Sequence, residues 1–254
     1  MPNKNKTVLV LLLFSALLLC GCTRPWEGSV KVSASAQESV SLKDDEERES
    51  ALNGLFFFGE STTAHLARKG GVMDTPRRRR QVWRDDSGTR RLDLRTAHSP
   101  VSYLDENVSS STLSFADAVE RERPPILVLS FGLNGLEGFI KNPDSFARAY
   151  HALIREIHAR SPETRILLQS VYPVGENRSF SKDVQTVNAH IQELNGQIRE
   201  IAGQYEAVRY ADTASVLRDA EGRLLPEYDS GDGIHLTNQA YLRILDYLTA
   251  CVHS

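Results

Sequence analysis

The sequence predicts a doubly wound α/β sandwich, and two observations carry that reading. Short uninterrupted apolar runs recur along the chain, as Leu55-Phe56-Phe57-Phe58, Ile126-Leu127-Val128-Leu129 and Ile166-Leu167-Leu168. Runs without polar alternation suit strands covered on both faces of a parallel sheet. Between them lie stretches whose apolar residues fall every three or four positions, the spacing of one helix face. Strand and helix in alternation wind into a sheet with helices on either side.

Each element has its local reason. Leu55–Phe58 is the first strand and Thr63–Arg68 the helix after it. A second strand is expected near Gln81–Trp83, while the rest of residues 71–112 shows little periodicity. Phe115–Arg121 reads as a helix before the Ile126–Leu129 strand. Asn142-Pro143 then offers an N-cap followed by proline at the first helical position, and Phe146, Tyr150, Leu153, Ile154 and Ile157 keep helical spacing until Ser161-Pro162. After the Ile166–Leu168 strand, Val184, Val187, Ile191, Leu194, Ile198 and Ile201 mark a long helix, with Gly203 as its C′ residue. Val208–Ala211 is a further strand, and Tyr241, Ile244, Leu245 and Leu248 line one face of a last helix.

The first fifty residues are of another kind. Lys4 and Lys6 precede the apolar run Val8–Leu19, which is too short to span a bilayer and has the layout of an export signal. The ending Leu19-Cys20-Gly21-Cys22 resembles a bacterial lipobox, with Cys20 where alanine or serine is usual. That resemblance implies removal of residues 1–21 and acylation of Cys22, which would anchor the exported protein to the outer face of the bacterial cell membrane; an uncleaved anchor and plain secretion are the alternatives. Residues 22–50 carry Asp44-Asp45-Glu46-Glu47 and little apolar surface, so an acidic disordered tether is expected before a folded domain over 51–254. With Cys22 acylated, Cys251 is the only other cysteine of the mature chain, and no internal disulfide is expected. Thirty basic residues against thirty-three acidic ones give a net charge of −3, which argues against a nucleic-acid partner.

Chemistry in an open α/β sheet sits beyond the carboxyl ends of its strands. Three stretches there are informative: Gly59-Glu60-Ser61, Gly132-Leu133-Asn134-Gly135, and Asp232-Gly233-Ile234-His235. A serine at a strand-to-helix turn has backbone N–H groups and a helix N-terminus beside it, which suits a developing oxyanion. Glycines on both sides leave the backbone free to aim the Asn134 amide. Asp and His three residues apart in a turn let the carboxylate hold one imidazole nitrogen and leave the other as a base. Taken singly, Ser61 reads as an N-cap, Asn134 as a turn residue and His235 as a satisfied histidine. Together they supply a nucleophile, an oxyanion donor and an oriented base.

These stretches, in this order, resemble the SGNH or GDSL-like hydrolase superfamily, whose motifs are Gly-Asp-Ser, Gly-x-Asn-Asp and Asp-x-x-His. Glu60 and Gly135 depart from that pattern, each standing where aspartate is usual. An α/β-hydrolase elbow would need Gly-x-Ser-x-Gly, and position 63 is Thr. The resemblance implies a flavodoxin-like three-layer α/β/α sandwich with a mostly parallel five-stranded sheet. It implies a triad of Ser61, His235 and Asp232, and an oxyanion hole of the Ser61 N–H and the Asn134 side chain, with no metal or organic cofactor. A second backbone donor is expected after strand two, from Gly88 or the Ser109-Ser110-Ser111 stretch.

The implied activity is hydrolysis of an acyl or acetyl ester of a carbohydrate or lipid. An O-acyltransferase on the same fold is one alternative, and a non-catalytic lipoprotein binding a glycan or protein is another. Three further features have two readings each. His65, one helical turn after Ser61, either lines the pocket or sits on the helix surface, and Tyr172 either borders substrate or packs in its loop. The Arg77-Arg78-Arg79-Arg80 run is either a solvated loop or an attractor of anionic lipid or wall polymer.

Overall fold

The computed structural model describes residues 50–69, 73, 75–85, 91–103, 113–176 and 182–253. Cys22 and the proposed signal and tether, Gly88 and Ser109–Ser111 lie outside the described residues. Six strands form one sheet: β1 (Leu55–Gly59), β2 (Val82–Asp85), β3 (Val101–Tyr103), β4 (Ile126–Ser130), β5 (Arg165–Gln169) and β6 (Val208–Ala211). Their spatial order is β3-β2-β1-β4-β5-β6, with every pairing parallel except that of β2 with β3. The five parallel strands thus run in the 2-1-3-4-5 order of flavodoxin-like folds. The sixth strand, β3, is an addition to the expected five. It is a three-residue edge element with Trp83 opposite Tyr103, too short to show a period in sequence.

Seven helices cover the sheet among the described residues beyond position 60: α1 (Ser61–Lys69), α2 (Pro76–Arg79), α3 (Phe115–Glu122), α4 (Leu136–Lys141), α5 (Pro143–Arg160), α6 (Val184–Ala202) and α7 (Asn238–His253). Side chains alternate across a strand, so each apolar run serves two cores. Phe58, Leu127, Leu129, Ile166 and Leu168 face α3, α5 and α6, where they meet Phe115, Phe146, Tyr150, Ile154 and Ile198. Leu55, Phe57, Ile126, Val128 and Leu167 face the other way, toward Leu66 of α1 and Tyr241, Ile244 and Leu248 of α7.

The helix ends follow their sequence signals. Asn142 Oδ1 accepts from the Ser145 N–H at 3.2 Å with Pro143 beginning α5, and Asp183 Oδ1 accepts from Thr186 N–H at 2.9 Å to start α6. Gly203 departs from expectation. It is the C-cap of α6 in right-handed conformation, φ −64°, because its N–H still bonds back to Arg199 and Ile201 and the last turn tightens instead of reversing. The arginine run is not one solvated patch either. Arg78 is buried at 3% exposure on α2, whereas Arg80 is exposed. Among the described residues no helix is long and apolar enough to cross a membrane, and the Cys251 thiol is buried.

Candidate active site

The site lies where the winding reverses, between the carboxyl ends of β1 and β4. Gly59 ends β1 there, and a Cβ on it would come within 2.4 Å of Ser130 O and of Thr63 Oγ1, so only glycine permits the approach of the two strand ends. Glu60 N–H donates to Ser130 O at 3.2 Å, and the Glu60 carbonyl accepts from Thr63 and Ala64 N–H groups, starting α1 at Ser61. Ser61 therefore occupies the first position of a helix, beside its positive end. Tyr241 of α7 donates its hydroxyl to Thr62 O at 3.0 Å, tying this turn to the last helix.

The loop before α7 presents the imidazole. Asp232 Oδ1 accepts from the Ile234 N–H at 2.9 Å and the His235 N–H at 2.7 Å, which leaves Oδ2 to accept from His235 Nδ1–H at 2.6 Å. That contact fixes the tautomer and makes Nε2 the acceptor, and Ser61 Oγ lies 3.3 Å from it. Partial burial works to raise the Asp232 carboxyl, but the His235 ring and the two backbone N–H groups outweigh it and hold it at about 2. Asp232 is therefore an anion at neutral pH, placed to orient the ring and to balance charge on it.

Asp229, which sequence reasoning passed over, braces this loop. Its Oδ1 accepts from Gly231 N–H at 2.8 Å and Gly233 N–H at 2.9 Å, while Gly175 N–H donates to Gly233 O at 2.8 Å. Gly231 and Gly233 have φ of +107° and +74°, a backbone state that favours glycine. The Asp-x-Gly spacing was the available signal.

Asn134 stands on the turn after β4, half-buried, between Gly132 and Gly135 at φ +138° and +94°. The carboxylate of Glu60 grips this turn from the β1 side. Glu60 Oε1 accepts from Gly132 N–H at 2.9 Å and Asn134 N–H at 3.1 Å, and Oε2 accepts from Asn134 N–H at 3.1 Å. So the residue before the serine holds the residue expected to serve the oxyanion. His65 packs its ring against that of His235, centroids 4.4 Å apart and planes tilted by 33°, so it belongs to the site's surroundings and not to an open helix face. Tyr172 is a packed aromatic, 7% exposed, whose hydroxyl accepts from Gln169. Among the described residues no group of His, Cys, Asp and Glu could hold a metal ion.

Ser61, His235 and Asp232, chosen from sequence, are thus joined by hydrogen bonds, and Asn134 stands on the neighbouring turn held by Glu60, while Asp229 braces the histidine loop.

The fold is similar to that of a GDSL-like lipase from Bacteroides thetaiotaomicron VPI-5482, at 15% identity and TM-score 0.54, over 87% of this chain and 95% of that one. A protein from Slackia heliotrinireducens assigned to the SGNH hydrolases matches at 14% identity and TM-score 0.52, over 78% of this chain and 97% of its own. No curated protein matches. The family comparison reaches further than fold, because it aligns residues 57–243, from within β1 to within α7, and so spans Ser61, Asn134, Asp232 and His235. The chain belongs to the GDSL-like Lipase/Acylhydrolase family.

Proposed function

We propose that the chain is a serine esterase that cleaves an acyl or acetyl ester of a carbohydrate or lipid. One observation carries the reading: the unbroken hydrogen-bond path from Ser61 Oγ to His235 Nε2, 3.3 Å, and from His235 Nδ1 to Asp232 Oδ2, 2.6 Å. In this mechanism Ser61 Oγ attacks the ester carbonyl carbon as its proton passes to His235 Nε2. The tetrahedral oxyanion accepts hydrogen bonds from the Ser61 N–H and the Asn134 side chain, each donor worth on the order of 3 kcal/mol of barrier. Collapse breaks the ester C–O bond, and His235 gives its proton to the leaving alcohol. Water then attacks the acyl-enzyme as His235 takes its proton, and on collapse the C–Oγ bond breaks as His235 returns that proton to Ser61 Oγ, releasing the carboxylic acid. Asp232 stays ionised throughout and holds the imidazolium.

The test is a fluorophosphonate probe together with short-chain and long-chain esters, with Ser61→Ala in parallel. Labelling and turnover are expected in the parent and absent in the variant. Labelling that persists in Ser61→Ala, or a parent that neither labels nor turns over, refutes the nucleophile. For location we propose an acylated Cys22 on the outer face of the cell membrane, supported by the Leu19–Cys22 sequence. Incorporation of a fatty-acid analogue that survives Cys22→Ser would overturn it.

A further inference from the structure

The Glu60 side chain is an unusual object for a protein interior. It is 6% exposed, and among the described residues no cation lies within ion-pair reach of it. Its compensation comes from backbone N–H groups of Gly132 and Asn134, at 2.9 and 3.1 Å, converging on the carboxylate as they would on a bound anion. From α5, Tyr150 feels its charge: the Tyr150 hydroxyl donates to Phe131 O at 3.4 Å, and its ionisation is pushed far up by burial and by Glu60. A buried carboxylate without a cation costs stability.

The far side of the same turn is equally constrained. A Cβ on Gly132 would come within 2.7 Å of Val171 Cγ2 and 2.8 Å of Leu194 Cδ2. The turn is thus held between packed side chains on one side and the Glu60 carboxylate on the other. Glu60 is itself bonded next to Ser61, so it relates the nucleophile's turn to the turn of Asn134.

We propose that Glu60 is a positioning residue for the oxyanion site: by gripping the Gly132 and Asn134 N–H groups it sets the pose in which the Asn134 side chain meets the developing oxyanion. Glutamate here has one methylene more than the aspartate usual at this position, and that length carries the carboxylate across to the β4 turn. The inference rests on the serine-esterase reading above.

The experiment is a kinetic cycle of Glu60→Gln, Asn134→Ala and the double variant in the full chain, with Ser61→Ala as control and a short-chain ester as substrate. Asn134→Ala is expected to lower kcat by about 10²–10³-fold. Glu60→Gln keeps the shape but sets an NH2 against the Asn134 N–H where Oε2 accepts it, and is expected to lower kcat by about 10–100-fold with KM within about threefold. The double variant is expected to match Asn134→Ala within about threefold, because the pose of an absent side chain no longer matters. Glu60→Asp, which keeps the charge but shortens the reach by one methylene, should lose about as much kcat as Glu60→Gln.

Activity that survives Ser61→Ala sinks the esterase reading itself. With Ser61→Ala inactive, the positioning role is overturned if Glu60→Gln keeps parental kcat, if its loss multiplies in full with that of Asn134→Ala, or if Asn134→Ala is silent. Should Glu60→Gln fail to fold, amide exchange in the unaltered chain decides. The Gly132 and Asn134 amides should lose about tenfold or more of their protection from pH 8 to pH 5.5, after correction for intrinsic rates, while that of Val128 holds. Unchanged protection at all three overturns the grip.

Discussion

Replacing Glu60 by glutamine should change how stability depends on pH, in a direction set by the structure. Burial pushes the Glu60 carboxyl up to about 7, against the pull of the Gly132, Asn134 and Leu133 N–H groups, from an ordinary 4.5. The folded chain therefore binds the Glu60 proton more tightly than the unfolded chain does. The stabilisation this gives is complete below pH 4.5 and is lost as pH rises through about 7. A displacement of that size corresponds to about 3 kcal/mol, most of which falls between pH 5 and pH 8. Urea unfolding of the parent and Glu60→Gln at both pH values cancels every other titrating group in the difference. The parent should lose about 2–3 kcal/mol relative to the variant on going from pH 5 to pH 8. The grip of the carboxylate is fullest at the pH where its burial costs most, so the variant that gains relative stability at pH 8 should be the poorer catalyst there. A stability difference that does not move with pH, or moves the other way, would refute both the burial and the ionisation on which this rests.

Three other outcomes follow from particular contacts. Asn195 bonds both the N–H and the C=O of buried Val171, at 2.7 and 3.0 Å, so Asn195→Ala orphans two groups at about 1–3 kcal/mol each. Asn188 does the same for Val174, but Val174 O also accepts from Leu224 N–H at 3.2 Å, so Asn188→Ala should cost about half as much in urea unfolding; equal costs would contradict the count of orphans. Asp232→Asn should lower kcat by on the order of 10³-fold or more with the fold intact, because the amide no longer selects the tautomer with a free Nε2; steady-state kinetics with a circular-dichroism control checks it. The Cys251 thiol, fully buried, is pushed up by desolvation to about 12 despite Arg209, so peptide mapping after iodoacetamide at pH 8 should find it alkylated only in urea.

What could be read in the sequence was whatever local chemistry decides. The strands were legible because Phe56–Phe58 and Leu127–Leu129 are apolar at every position, and the α5 boundaries because Asn142-Pro143 states a cap and a first turn. β3 and α4 were not legible, since three and six residues are too few to display a period. Gly203 misled because a glycine after an apolar stripe marks a chain reversal only when the backbone turns left-handed there, and the composition is the same when it does not. The Ser61 and Asn134 positions were readable as residues just past strand ends, and His235 by the aspartate three residues before it in the loop ahead of the last helix. Their supports were not, because Glu60 reaches a turn 72–74 positions away and Asn195 a loop 24 away. A signal existed nonetheless: Asn188 and Asn195 stand seven apart on the apolar face of α6, where unpaired amides would be costly.

The reversal of winding that opens the crevice also explains why such supports are needed. The last backbone rung between the two strands here is Glu60 N–H to Ser130 O, and beyond it the chains part. α1 leaves β1 toward the core it shares with α7, and α4 leaves β4 toward the opposite core, so no ladder and no common helix face relates Ser61 to Asn134. A crevice that admits substrate is by the same fact a break in the sheet's own bracing. Side chains must then cross the break, and a carboxylate suits the task because one group accepts several N–H bonds and fixes two turns at once. Asp229 and Asp232 do the same within the histidine loop, each closing on two backbone N–H groups. Three carboxylates bonded to backbone thus stand around the serine, but only Asp232 hydrogen-bonds the imidazole. Charge near the site should therefore be judged residue by residue: the Asp232 carboxyl, held at about 2, bonds the imidazole itself, whereas the Glu60 carboxyl, pushed up to about 7, bonds the backbone of the turn that carries Asn134.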